Sequence, residues 1–317
     1  RDFCLSRGLG DVYKRQAETF AERLNQVEGL TQEEKDAYIA KNLAAIDGHF
    51  VPAYKSLIES LTSLKGTGLN DKGLYHYPEG KKYYEYLVNS YTGTSFQDIP
   101  SLKAAINAQM LDDLTSMDKL LAKNPELAKQ MYSYSFALTE PHQILENLKS
   151  QCQKDFPSID GYECNIKRVP KALESILSPA FYLTVPIDRP QDNSIYINNG
   201  ITSTNKNLYS TLAHEGYPGH MYQTLYFNSQ NTANIRKLLS FNSYSEGWAT
   251  YVEYYSYGLD NGLDKNLSQL LKHNAAFTLS LYAMLDISIH YEGWDLKQMA
   301  ELSLIHISEP TRQAEIS

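Results

Sequence analysis

The segment Leu212-Ala213-His214-Glu215-Gly216-Tyr217-Pro218-Gly219-His220 constrains this chain more than any other stretch. A His-Glu pair with a second histidine close by is a way of holding zinc. The two imidazoles bind the metal, and the adjacent carboxylate, poorly placed to reach the same ion, holds the attacking water. The usual spacing sets the histidines four apart, about 400° of helix, so both rings share a face. Here they are six apart, about 600°, or roughly 240° around a straight helix. A straight helix would point them in different directions. Gly216, Pro218 and Gly219 lie between them. Proline removes a backbone donor and clashes with the preceding turn, and glycine permits φ > 0. The spacing therefore predicts a broken helix that swings His220 back toward His214. The alternative is a pair of unrelated histidines beside a glycine turn.

A second segment, residues 244–253, reads Tyr-Ser-Glu-Gly-Trp-Ala-Thr-Tyr-Val-Glu. Its Glu246 follows His220 by 26 residues, room for a helix and a turn. Zinc peptidases with a glutamate as third ligand draw it from a helix downstream of the histidines. The candidate metal ligands are thus His214, His220 and Glu246, with Glu215 as general base. Glu253, seven residues on, lies on nearly the same helical face, where it could orient a histidine. Its plain alternative is a solvated helix charge or a salt bridge.

The rest reads as mainly helical. Thr31 and Glu34 form a capping box, followed by a helical pattern from Gln32 to Leu64. Further helices are predicted over Lys81 to Tyr91, over 100–130 with a break at Asn124-Pro125, and over Pro141 to Lys154. Phe181 to Val185 and Ser194 to Ile197 are short, β-branched and aromatic, around a turn-rich stretch. They predict a small β element at residues 181–197, a hairpin or an edge pair. Ser203 is the expected N-cap of the next helix, and helices continue to residue 301.

Acidic residues outnumber basic ones, 37 to 29, without a Lys/Arg cluster. Nucleic-acid binding is disfavoured. No apolar run is long enough to span a membrane. Cys152 and Cys164 are twelve apart around a Pro- and Gly-containing loop. A disulfide there would favour an exported protein, and two free thiols are the equal alternative. The 25 tyrosines suit wet clefts that also grip apolar groups. Residues 1–16, ending DVYKRQ, and 302–317, beginning LSLIHISEPTR, resemble translated sequencing-library adapter read from opposite strands. The expected natural sequence is residues 17–301, a fragment of one helical domain with its metal site at 204–260. Export, or anchoring as a lipoprotein, is expected ahead of the cytoplasm. Oligomeric state is left open.

Together, HEGYPGH (214–220) and EGWATYVE (246–253) resemble the bacterial family called domain of unknown function 885. So do YYEYLVNSYTGT (83–94), SPAFYLTVPID (178–188) and IHYEGWD (289–295). The likeness covers nearly all of residues 17–301. It implies a zincin-like helical fold, distantly similar to carboxypeptidase Taq and other glutamate-zincins. It also implies one zinc ion on His214, His220 and Glu246, Glu215 as general base, and a cleft lined by the β element. Family members extend further at both ends, so the fragment is expected to lack part of that cleft. His290, one turn after Asp286, matches a family position near the cleft, where an imidazole could donate to an oxyanion; a helix-end pair with Asp286 is the alternative. Tyr182 and Tyr196, on strands able to pair with an extended peptide, and Tyr217 are candidate substrate contacts, although Tyr217 could simply pack the break. His49, His76, His142 and His273 read as ordinary. The expected reaction is hydrolysis of peptide or other amide bonds. The rival is a non-catalytic helical binding protein with a structural or vestigial metal.

Overall fold

The structure is a computed structural model that describes residues 16–68, 72–186, 189, 191–200, 204–230 and 232–301. Ser203 lies outside the described residues. The chain divides into two units. Residues up to 71 with 170–176 form the first, and residues 72–169 with those from 177 onward form the second.

The first unit holds helix α1 (16–25), α2 (Gln32–Ala45) and α3 (Val51–Ser63). Thr31 caps α2 reciprocally: its hydroxyl accepts from the Glu34 amide, and Glu34 Oε2 accepts from the Thr31 amide at 2.8 Å. The single helix predicted from Gln32 to Leu64 is interrupted by a π turn at Ile46–Phe50, where the Val51 amide reaches back to the Ile46 carbonyl. One extra residue in that turn rotates the faces of α2 and α3 relative to one another.

The second unit contains α4 (Gly80–Thr92), α5 (Ile99–Lys123), α6 (Leu127–Ser133) and α7 (Pro141–Cys152). Strands β1 (Glu163–Arg168), β2 (Ala180–Leu183) and β3 (Asp192–Ile197) follow. Then come α8 (Thr204–Glu215), α9 (His220–Ser229), α10 (Asn234–Leu238), α11 (Asn242–Ser256), α12 (Lys265–Ile287) and a last helix over 296–301. Asp98 and Glu140 cap α5 and α7 by accepting from Ser101 and Gln143, each with a proline in the first turn. Met110 and Met117 of α5 and Leu267, Leu270, Leu281 and Met284 of α12 recur at helical spacing and are buried. That stripe explains why these two helices pack along each other.

The small sheet has the order β1-β3-β2, with β1 parallel and β2 antiparallel to β3. The expected β2–β3 pair is present, inside a three-stranded sheet. Pleating sends Ile195 and Ile197, both fully buried, to one face, and Tyr196 to the other. The inward face packs near α7 and α8, whose Ile144, Leu148, Tyr209 and Leu212 are also fully buried. Burial of each such aliphatic side chain contributes about 1.5–3 kcal/mol, which anchors α8 firmly just before the motif. Cys152 is buried at the end of α7 and Cys164 half-buried on β1, and both are free thiols, so the disulfide alternative does not hold. Burial raises both thiols, to about 12 and about 11, which makes them unreactive. No helix among the described residues is long and apolar enough to cross a membrane.

Candidate metal centre

The helix breaks where the sequence predicts. α8 ends at Glu215, residues 216–219 leave the helix, and α9 starts at His220. The Gly216 amide closes the last turn on the Leu212 carbonyl at 2.9 Å, and the Tyr222 amide reaches the Gly216 carbonyl at 3.1 Å. Glycine is required at the far side: a Cβ on Gly219 would collide with the His214 carbonyl. At Gly216 a Cβ would come 2.5 Å from Leu145 Cδ2 and 3.1 Å from Ile195 Cδ1. The break therefore seats backbone directly against α7 and β3.

The result is convergence of the two imidazoles. Their ring centroids are 4.8 Å apart and nearly perpendicular, at 87°. His214 Nδ1 lies 3.1 Å from Glu253 Oε2, and His220 Nδ1 lies 3.1 Å from Ser245 Oγ. With both Nδ1 atoms engaged, each Nε2 faces the same atom, Glu246 Oε2, at 3.6 Å. That is too long for a hydrogen bond. It is close to the roughly 3.4 Å separating two ligands of a tetrahedral ion bound at about 2.0–2.1 Å. Ligand atoms of His214, Glu215 and His220 also lie within 4.8 Å of one another. Glu215 is turned to the sheet, accepting from the Tyr182 amide at 2.8 Å.

The electrostatics fit a cation. Three carboxylates, Glu215, Glu246 and Glu253, surround two imidazoles, an excess of negative charge that a divalent ion would balance. Burial raises the Glu215 carboxyl above its usual range, aided by Glu246 and Glu253 and opposed by the Tyr182 amide and His214. Burial works against protonation of His214. The Glu253 hydrogen bond and the surrounding carboxylates outweigh it and raise the imidazole. Burial, with the charge of His214, lowers His220. Glu246 is the open side of the cluster, its side chain 63% exposed against 20% and 14% for the histidines.

The other candidates are placed differently. Tyr182 contributes its backbone amide, while its hydroxyl donates to Asn193 at 2.8 Å. Tyr196 stacks on Phe181 across the β2–β3 pair, on the sheet face opposite Ile195 and the break. Tyr217 is 2% exposed and packs edge-on against Tyr222 in the break, and it also borders a small pocket of about 130 Å³ with Leu145, Tyr162 and Met221. His290 joins another group. Its Nδ1 accepts from the Leu74 amide at 3.1 Å, and its Nε2 is 3.8 Å from Asp286, whose other oxygen accepts from Tyr84. None of these partners is a zinc candidate. His273, read as ordinary, pairs with the buried Asp113 at 2.8 Å. Ser245 gave no signal in the sequence beyond its place beside Glu246, and the Tyr182 amide has no side chain to signal it. A cavity of about 440 Å³ lies elsewhere, lined by Lys103, Met110, Met284 and Trp294 among others.

A family model described as "Bacterial protein of unknown function (DUF885)" matches residues 6–316. A crystal structure of a candidate lipoprotein from Colwellia psychrerythraea is similar, with TM-score 0.76 and 19% identity, over 90% of this chain and 52% of that one. Another candidate lipoprotein, of unknown function, from Shewanella oneidensis is similar with TM-score 0.51 and 17% identity, over 94% of this chain and 58% of that one. The chain thus spans little more than half the length of either, and at such identities the likeness is one of fold. No curated protein matches the chain.

Proposed function

Because the chain belongs to this DUF885 family of bacterial proteins of unknown function, we propose from its own residues that it is the metal-bearing part of a zinc-dependent peptidase. The observation that carries this reading is the shared 3.6 Å approach of both Nε2 atoms to one oxygen of Glu246. His214, His220 and Glu246 would hold the ion. Bound there, zinc would polarise a scissile carbonyl and acidify water. Glu215, with its carboxyl raised by burial, is suited to take a proton from the attacking water and deliver it to the leaving amine. The Tyr182 amide keeps that carboxylate against the strand. The candidate-lipoprotein descriptions of the two similar structures favour an exported or lipid-anchored protein.

Zinc titration, a peptide-library assay on the protein extended to its relatives' length, and Glu215→Gln together test the reading. The expected result is one zinc per chain, hydrolysis by the wild type, and a ~10²–10⁴-fold lower kcat with zinc retained in the variant. Zinc binding without hydrolysis of any peptide would favour the helical binding protein instead. A fully active Glu215→Gln removes that residue from the mechanism.

A further inference from the structure

α11 is tied to the α8–α9 break at three points. Two ties reach imidazoles: Ser245 to His220 and Glu253 to His214. The third reaches backbone. Trp248, two residues after Glu246, donates its indole Nε1–H to the Pro218 carbonyl at 2.7 Å. Pro218 lies inside the break, so this bond grips the segment whose path decides where His220 points. The indole is itself immobilised: it lies near-parallel to Tyr222 of α9, at 6.4 Å and 14°, and edge-on to Phe156 at 5.8 Å.

We infer that Trp248 is a positioning residue for the metal centre, fixing the broken segment to the helix that carries Glu246. The inference rests on the zinc reading above. A ring tied at Nδ1 can still turn about its own bonds, whereas a clamped carbonyl cannot shift without moving the chain between the two histidines. Metal ligands tolerate displacements of only about 0.5 Å. A backbone clamp therefore acts on metal affinity through the spacing of all three ligands, although Trp248 touches none of them through this bond.

The test replaces Trp248 with benzothienylalanine, which keeps the ring shape and stacking and deletes only the N–H, alongside Trp248→Phe. Zinc affinity is measured by chelator competition, and the unfolding midpoint of the metal-free protein is measured in parallel. Tyr222→Phe serves as the control. It deletes a hydrogen bond of the same aromatic cluster, from the Tyr222 hydroxyl to the Pro157 carbonyl at 2.8 Å, whose acceptor lies outside the break. Expected is a ~10–100-fold loss of zinc affinity in both Trp248 variants. The analogue should keep a near wild-type metal-free midpoint, and the control an unchanged zinc affinity. An analogue that binds zinc as tightly as the wild type overturns the inference. So does a control that weakens zinc equally, since packing would then explain both. A wild-type protein that binds no zinc overturns the zinc reading as well, before any variant is compared.

Discussion

The second unit holds two clusters that contain the same ingredients and differ in one respect. Around His214 and His220, each imidazole has its Nδ1 engaged and its Nε2 directed at a shared carboxylate oxygen. Around His290, the Nδ1 takes a backbone amide, the ring lies near-parallel to Tyr84 at 5.9 Å, and the nearby carboxylate is occupied by the Tyr84 hydroxyl. A histidine beside a carboxylate is thus no site by itself. What makes the first cluster a candidate is the direction of the nitrogen left over, converging with a second one on a single oxygen. The second cluster instead uses its imidazole to finish backbone hydrogen bonding at residue 74, which is structural work.

The sharpest way to break that contrast is to truncate one histidine from each cluster. His214→Ala should lose more zinc affinity than the ~10–100-fold that deletion of an outer partner costs, with chelator competition as the measurement. His290→Ala should leave zinc affinity unchanged and lower stability by about 1–2 kcal/mol, because the Leu74 amide loses its acceptor. Denaturant unfolding reads the second effect. If His290→Ala weakened zinc as much as His214→Ala, the two clusters would be one functional unit and the contrast would collapse.

The next effect down separates ligand from support within the first cluster. Glu253→Ala removes the acceptor behind His214 and should weaken zinc by ~10–100-fold. Glu253→Gln should recover part of that loss, because its amide oxygen still accepts from Nδ1–H. Ser245→Ala acts on His220 through a single hydroxyl and should fall at the weak end of the same range. Equal losses in Glu253→Ala and Glu253→Gln would mean that charge, not orientation, is what Glu253 supplies.

Much of the first cluster is legible in the sequence because its determinants are local. The glycines and proline between the histidines report a break that backbone sterics demand, and a Cβ at either Gly216 or Gly219 would crowd its neighbours, most severely at Gly219 against the His214 carbonyl. Glu246 is named by its place downstream of the histidines, and Glu253 by its helical spacing from Glu246. What the sequence hides is whatever depends on an atom without a side-chain identity or on distant packing. The Tyr182 amide on Glu215 and the Pro218 carbonyl under Trp248 are backbone groups. Strand β1, Glu-Cys-Asn-Ile-Lys-Arg, passes as a polar loop because it is an edge with one exposed face. The π turn at 46–50 contains Gly48 and is followed by Pro52 in the first turn of α3, yet the helical pattern reads straight through both. The tyrosines mislead in a similar way. Their number suggested wet clefts, whereas Tyr209, Tyr217 and Tyr222 are buried in the core. Asp113, on a predicted amphipathic helix, gives no hint that its burial draws His273 in as a partner.

The smallest effect tests the second cluster from its other end. Tyr84 is 5% exposed, and its hydroxyl donates to Asp286 Oδ2 at 2.7 Å. Burial, with the Asp286 bond and charge, holds this phenol far above its usual range. The folded protein therefore keeps the proton when the unfolded chain begins to release it, near pH 10. Stability is unaffected below that pH and falls as pH rises above it, because only the unfolded state gains by ionising. Tyr84→Phe removes this site's share of the alkaline decline and costs about 1 kcal/mol at neutral pH through the lost hydrogen bond. Unfolding free energies at pH 7 and at several values above pH 10 would give both quantities. Zinc affinity should stay at the wild-type value throughout. A drop in it would show that the support around Asp286 and His290 reaches the metal ligands after all, through α4, which packs against both α11 and the turn Ser288–Glu292 that follows α12.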